Sequence, residues 1–236
     1  MKERPILFSG PMVRALLAGT KTQTRSAAKV ESTLGIDSIL APRRAGGHAA
    51  TYLLPDQAAE AAVCCPYGRP GDRLWVREAF RFPASLDHLS PSVCGDKALD
   101  AGYRTPWAPT QFEADGSRTG EWRGFDTPPE KTKPGKLRPG IHMPRWASRI
   151  LLEITGVRVE RLQDISEADA LAEGVAHSLN LPGGRFAREN FEHLWWTING
   201  DGSWESNPWV WVVEFKRVQQ ASSGRPSQLE DAPCSA

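Results

Sequence analysis

The 236-residue chain has few of the residues that crosslink a protein or anchor it in a membrane. Its four cysteines show no CxxC spacing, so they do not form the ligand pattern of a structural zinc site. No apolar run is long enough to span a bilayer, and the N-terminus lacks the apolar region of a signal peptide. These absences predict a cytoplasmic protein with reduced thiols, no membrane partner, no metal and no cofactor.

Net charge is also nearly absent, with 29 basic against 28 acidic residues, which is typical of an ordinary globular protein. The first thirty residues or so are nevertheless basic, with Lys2, Arg4, Arg14, Lys21, Arg25 and Lys29 against Glu3. A local basic patch can attract phosphate even when the total is neutral, and it is equally typical of a solvated surface. The densest part of this basic segment, Gly19 to Arg25, therefore has two interpretations. It is either a phosphate-binding site or a pair of catalytic groups.

Hydrophobic periodicity predicts mainly strands, with a few short helices. Because the strands do not alternate regularly with helices, the pattern favours an α+β fold with a small mixed barrel. Two long insertions, 26–70 and 81–145, and a disordered tail, 219–236, show no sustained period. The predicted strands cover 6–8, 73–80 and 208–218, with two more in 149–162 that bend at Gly156. The predicted helices cover 11–18, 166–174 and 186–198.

Several phrases follow one another in a definite order: Gly19-x-Lys21-x-x-Thr24, Gly71 to Val76, Leu152 to Thr155, Ile165 to Glu167 and Val210 to Lys216. This order resembles the ASCH domain family, whose fold is the PUA-like β-barrel, and in particular its bacterial N4-acetylcytidine amidohydrolases. Cys65 to Glu78 and Met143 to Ile150 also look like phrases of phage- and prophage-encoded members.

The resemblance covers residues 5–25, 71–80 and 146–218. It implies one domain over residues 1–218, with flanking helices, in the cytoplasm of a bacterium or a phage-infected host. The family's catalytic lysine, threonine and glutamate fall on Lys21, Thr24 and Glu173. The family's arginine usually stands two residues after the threonine; here Ser26 occupies that position and Arg25 precedes it.

These three residues suit the hydrolysis of an N4-acylated cytosine. The reaction needs a nucleophile at the acyl carbon and a proton for the departing ring amine. Thr24 becomes a nucleophile only when a base removes its proton, and Lys21 is such a base in its neutral form. Glu173 follows a predicted helix, where the negative end of the dipole disfavours a carboxylate and so favours a general acid.

Substrate contacts are expected from Arg25, Thr22 and Arg14, and from two loop aromatics, Trp107 and Trp122. Tryptophans interleaved with basic residues are typical of single-stranded polynucleotide binding. The resemblance implies a modified nucleoside as the partner, and these residues favour RNA, with DNA as a further candidate. The same residues also fit a non-catalytic PUA-like module that binds RNA or DNA. A ribonuclease is disfavoured, because no compact set of carboxylates indicates a metal site.

Overall fold

The computed structural model describes residues 1–28, 49–54, 57–120, 133–176 and 186–218. The chain is α+β, as predicted. Its elements are β1 (Glu3–Leu7), α1 (Gly10–Leu17), β2 (Gln23–Ala27), β3 (Ala49–Leu54), β4 (Gln57–Cys64), β5 (Arg73–Arg77), β6 (Phe80–Arg81), α2 (Pro91–Asp100), β7 (Thr110–Phe112), β8 (Arg118–Thr119), β9 (Leu151–Arg161), α3 (Glu167–Ala172), α4 (Ala187–Asn199) and β10 (Trp209–Val218).

The strands form three sheets. The largest has the order β1–β5–β9–β10–β2, β3 and β4 form an antiparallel hairpin, and β6, β7 and β8 form a third sheet. The largest sheet has β1 and β2 at its edges, so within the described ranges it does not close into a barrel.

The chain divides into two compact units. Within the described ranges, the first unit comprises residues of Met1–Arg4, Ala15–Leu74 and Leu152–Val218, and the second comprises residues of Pro5–Arg14 and Trp75–Leu151. In the first unit, alternate residues of β10 pack on the helices: Val210 and Val212 join a core that includes Phe191 and Trp195 of α4. The core of the second unit is built around Phe80, Phe82, Leu86, Cys94, Ala108, Phe112, Met143 and Ala147.

Local capping signals predicted several helix ends correctly. Gly19 lies just beyond α1 with a φ of 77°, in the left-handed region that favours glycine. Ser166 caps α3, because its hydroxyl accepts a hydrogen bond from the amide of Asp169 at 3.1 Å. Gly174, with a φ of 83°, follows the end of α3. The predicted final strand is also confirmed as β10.

The predicted strand 73–80 is two strands in different sheets, β5 and β6. Two other sequence-based predictions were also wrong. The region predicted as two strands with a bend at Gly156 is one continuous strand, β9. Gly156 instead leaves room for the Glu214 side chain of the neighbouring strand, because a Cβ at position 156 would lie 2.5 Å from Glu214 Oε2. The segment 81–145 is also less irregular than predicted, since it contains α2, whose N-cap is Ser90 with a proline in the first turn.

Part of the predicted organisation lies outside the described residues. This applies to residues 29–48 and 55–56 of the first insertion, to residues 121–132 of the second and to the tail at 219–236. Residues 26–70 do include the β3–β4 hairpin.

Two glycines with similar backbone angles provide a test of close packing beside Glu173. A Cβ at Gly174 would lie 2.6 Å from Ala15 Cβ and 3.0 Å from Lys21 Cβ, whereas a Cβ at Gly19 would meet nothing within 4 Å. We expect Gly19→Ala to lower the free energy of unfolding by about 1 kcal/mol, through backbone strain alone. Gly174→Ala adds overpacking and should cost about 2–4 kcal/mol in urea denaturation. Equal losses would contradict this account.

Candidate active site

Lys21 and Glu173 form a buried ion pair in the first unit. Lys21 Nζ lies 2.8 Å from Glu173 Oε2 and also donates to the backbone carbonyl of Glu173 at 2.9 Å. Their side chains are 0% and 3% exposed. The backbones of the two residues form an isolated antiparallel bridge, and the amide of Thr22 donates to the carbonyl of Ala172 at 2.8 Å. The segment before β2 is thus hydrogen-bonded to the end of α3, which holds the lysine against the glutamate.

Arg25 occupies the other side of the Glu173 carboxylate. Its Nη1 donates to Glu173 Oε1 at 3.1 Å, so each oxygen of this carboxylate faces a buried cation. The Nε of Arg25 donates to Glu160 Oε1 at 3.0 Å, and Nη2 lies 3.6 Å from Asp169 Oδ2. The Arg25 side chain is 0% exposed. All of these contacts are to carboxylates of the protein. Arg25 therefore helps to fix the position of the Glu173 carboxylate.

The charged cluster continues outward through residues that the sequence analysis did not assign to a site. Arg158 donates from Nε to Glu160 Oε2 at 3.0 Å and from Nη2 to Asp169 Oδ1 at 3.1 Å, and its Nη1 contacts Glu214. Gln23 donates to the carbonyl and to Oδ1 of Asp169 at 2.9 and 3.0 Å. The available signal was the spacing of Arg158 and Glu160, which places two opposite charges on one face of β9.

Asp169 shows how the cluster stabilises ionised groups. Burial by itself would raise the pKa of Asp169. The hydrogen bonds from Ser166 and Gln23, together with the charges of Arg25 and Arg158, outweigh burial and hold this pKa below its ordinary value of 3.8. The carboxylate form is therefore the one that the folded protein favours.

Thr24 lies on the other face of β2. In the antiparallel register with β10, Arg25 is opposite Val212 and Thr24 is opposite Val213. Directly paired residues share a face and successive residues alternate. The Arg25 guanidinium lies 5.9 Å from the ring centroid of Phe191, which belongs to the same core as Val212. The structure therefore brings Lys21, Arg25 and Glu173 together and places Thr24, which is also buried, behind the strand.

The described members of the remaining predicted substrate residues have contacts of their own. Thr22 is exposed, and its backbone carbonyl accepts a hydrogen bond from Phe215 at 2.8 Å. Arg14 and Trp107 belong to the second unit. There, Arg14 Nη1 donates to the carbonyl of Ala114 at 2.8 Å, and Trp107 packs edge-on against Tyr103. Trp122 lies outside the described residues.

The basic cluster is engaged by the protein itself: the side chains of Lys21 and Arg25 contact carboxylates. Lys21 and Glu173, a potential base and a potential acid, lie within hydrogen-bond distance of each other. In the described ranges, no group of His, Cys, Asp and Glu side chains has an arrangement that could hold a metal ion.

Comparisons of the chain with protein families, with curated proteins and with solved structures find no match. Among the described residues, no helix combines the length and the apolar character needed to cross a membrane.

The buried pair can be compared with an exposed pair of the same chemistry. Lys216 Nζ lies 2.9 Å from Glu153 Oε1, but these side chains are 63% and 32% exposed. Glu173→Gln leaves two buried cations without their carboxylate and should lower the free energy of unfolding by about 3–5 kcal/mol. Glu153→Gln should change it by less than about 1 kcal/mol. Urea denaturation of both variants measures the difference, and a similar loss in both would contradict the assigned role of burial.

The lowered pKa of Asp169 predicts an acid-dependent contribution to stability. Because the folded-state pKa is below 3.8, the ionised carboxylate stabilises the protein above that value, and this contribution disappears as pH falls through the folded-state pKa. The stability difference between the natural protein and Asp169→Asn should therefore be largest near about pH 6 and shrink toward about pH 3. Urea unfolding at several pH values measures this difference. A difference that is constant with pH would refute the expectation.

Proposed function

We propose that this protein is an amidohydrolase that removes the acyl group from an N4-acylated cytosine, as a nucleoside or within RNA, on an ASCH-type, PUA-like fold. The observation that carries the proposal is the 2.8 Å contact between Lys21 and Glu173. The resemblance assigns these two residues to one catalytic set although 152 positions separate them. Their direct hydrogen bond supports that assignment.

The pair accounts for both proton transfers of the reaction. Movement of one proton from Lys21 Nζ to Glu173 Oε2 converts the ion pair into a neutral amine and a carboxylic acid. The amine then accepts a proton from the attacking nucleophile as its oxygen bonds to the acyl carbon. The acid donates a proton to the N4 nitrogen as the carbon–nitrogen bond breaks. At the end Lys21 is again a cation and Glu173 an anion, so the pair is restored without any further reactant.

Water is the nucleophile in this proposal. The resemblance assigns that role to Thr24, but Thr24 lies on the face of β2 opposite Arg25 and its carboxylate partners. A water molecule is not attached to β2, so the face on which Thr24 lies does not restrict its position. The products are then cytidine and the free carboxylic acid, without an acyl-enzyme intermediate.

The direct test is incubation of the purified chain with N4-acetylcytidine and chromatographic detection of cytidine. Lys21→Met and Glu173→Gln should each lower kcat by roughly 100-fold or more, because each removes a general acid–base group. The matched controls are Lys216→Met and Glu153→Gln, at the exposed pair, and these should retain activity. Circular dichroism must show that each variant is folded at the assay temperature. No release of cytidine by the natural protein, or full activity in folded Lys21→Met, would overturn the proposal.

Thr24→Val separates the two nucleophiles in the same assay. With water as the nucleophile, this variant should keep kcat within a few-fold of the natural protein. A loss as large as that of Glu173→Gln, in a folded variant, would assign the nucleophile to Thr24 instead.

A further inference from the structure

We infer that Arg25 and Glu160 are positioning residues that set the proton affinity of the Lys21–Glu173 pair in opposite directions. The inference rests on the proposed function for its kinetic consequences, but its geometry is independent of the substrate. It gives Arg25 a role different from substrate binding and adds Glu160, which no sequence motif indicated.

The contacts form a chain of alternating charge. Glu173 Oε1 accepts from Arg25 Nη1 at 3.1 Å, and Arg25 Nε donates to Glu160 Oε1 at 3.0 Å. The planar guanidinium of Arg25 donates to Glu173 from one edge and to Glu160 from another. Its orientation toward Glu173 therefore depends on its hydrogen bond to Glu160. Glu160 is itself held by Arg158, whose Nε lies 3.0 Å from Oε2.

The charged groups around the pair belong to several elements. Lys21, just before β2, and Arg25, in β2, face the Glu173 carboxylate. Glu160 and Arg158, from β9, and Asp169, from α3, face Arg25 or its partners, and Glu214 of β10 contacts Arg158. Of these groups, Arg25 is the only one besides Lys21 for which an ion pair with Glu173 is recorded among the described residues.

Simple electrostatics then gives the sign of each effect. Loss of the Arg25 cation makes protonation of both Lys21 and Glu173 more favourable, so both limbs of the pH–rate profile should move to higher pH. Loss of the Glu160 anion leaves the Arg25 charge less compensated and should move both limbs to lower pH. A purely structural role would lower the amount of active protein in both variants but would not displace the limbs in opposite directions.

The experiment is the pH dependence of kcat and of kcat/KM for N4-acetylcytidine with Arg25→Gln and Glu160→Gln. We expect an upward displacement for Arg25→Gln, because it removes a positive charge in direct contact with Glu173. Glu160→Gln should show a smaller displacement downward. In both variants kcat should fall more than KM rises, since neither residue is assigned to the substrate. Arg25→Lys keeps the charge and should return the limbs toward their natural positions while kcat stays low.

Matched controls exist in the same sheet. Glu153→Gln removes the same charge from the same strand as Glu160→Gln, but at the exposed pair with Lys216. Arg217→Gln removes a positive charge from the exposed end of β10. Both controls should leave the limbs in place. Limbs that move in the same direction in Arg25→Gln and Glu160→Gln, or that do not move, would overturn the inference.

A second readout keeps the inference independent of catalysis. The ¹³C resonance of the Glu173 carboxyl carbon, identified by its loss in Glu173→Gln, reports protonation directly. Its titration midpoint should move up in Arg25→Lys less than in Arg25→Gln, and down in Glu160→Gln. If the natural protein fails to release cytidine, the proposed function fails while this titration still decides the positioning role. If Arg25→Gln does not fold, Glu160→Gln and Arg25→Lys decide it.

Discussion

The burial of the Glu173 carboxylate is the constraint on which the candidate site depends. Removing an ion from water costs several kcal/mol even after the protein relaxes, so a buried carboxylate survives only with close and well-oriented partners. Lys21 and Arg25 supply one partner for each oxygen. The partners are then buried too. Arg25 in turn needs carboxylate partners, which are Glu160 and Asp169, and Arg158 at the edge of the cluster contacts both of these carboxylates.

This compensation explains why the cluster spans several elements. Lys21 and Arg25 come from β2 and the segment before it, whereas their carboxylate partners come from β9, from α3 and from the residue that follows α3. The hydrogen bonds of the charged groups therefore hold α3 against the sheet, and Gly174 allows the chain to turn closely past Ala15 and Lys21. The same contacts that satisfy buried charge also place an amine and a carboxylate 2.8 Å apart, which is the geometry that proton transfer requires.

In the second unit, a described buried carboxylate is paired with an arginine instead of a lysine. Glu78 is buried, and burial raises the pKa of its carboxyl against the opposing effect of Arg149. Arg149 grips Glu78 with two hydrogen bonds of 2.8 and 2.9 Å and lies over the ring of Phe112. The only cation recorded for Glu78 in the described residues is this arginine, which does not give up its proton in proteins. The Lys21–Glu173 pair differs because lysine can act as a base.

The sequence by itself determined the local features: helix ends at Gly19 and Gly174, the cap at Ser166, the strand β10 and the α+β class. Capping and alternation depend on neighbouring residues, so they can be read without the fold. The resemblance also selected Lys21 and Glu173. Only the tertiary structure showed that Arg25 contacts both Glu173 and Glu160 and that Thr24 lies on the opposite face of β2. Those relations depend on strand register and on contacts between residues more than a hundred positions apart, and a shift of one residue in register would exchange the faces of Arg25 and Thr24.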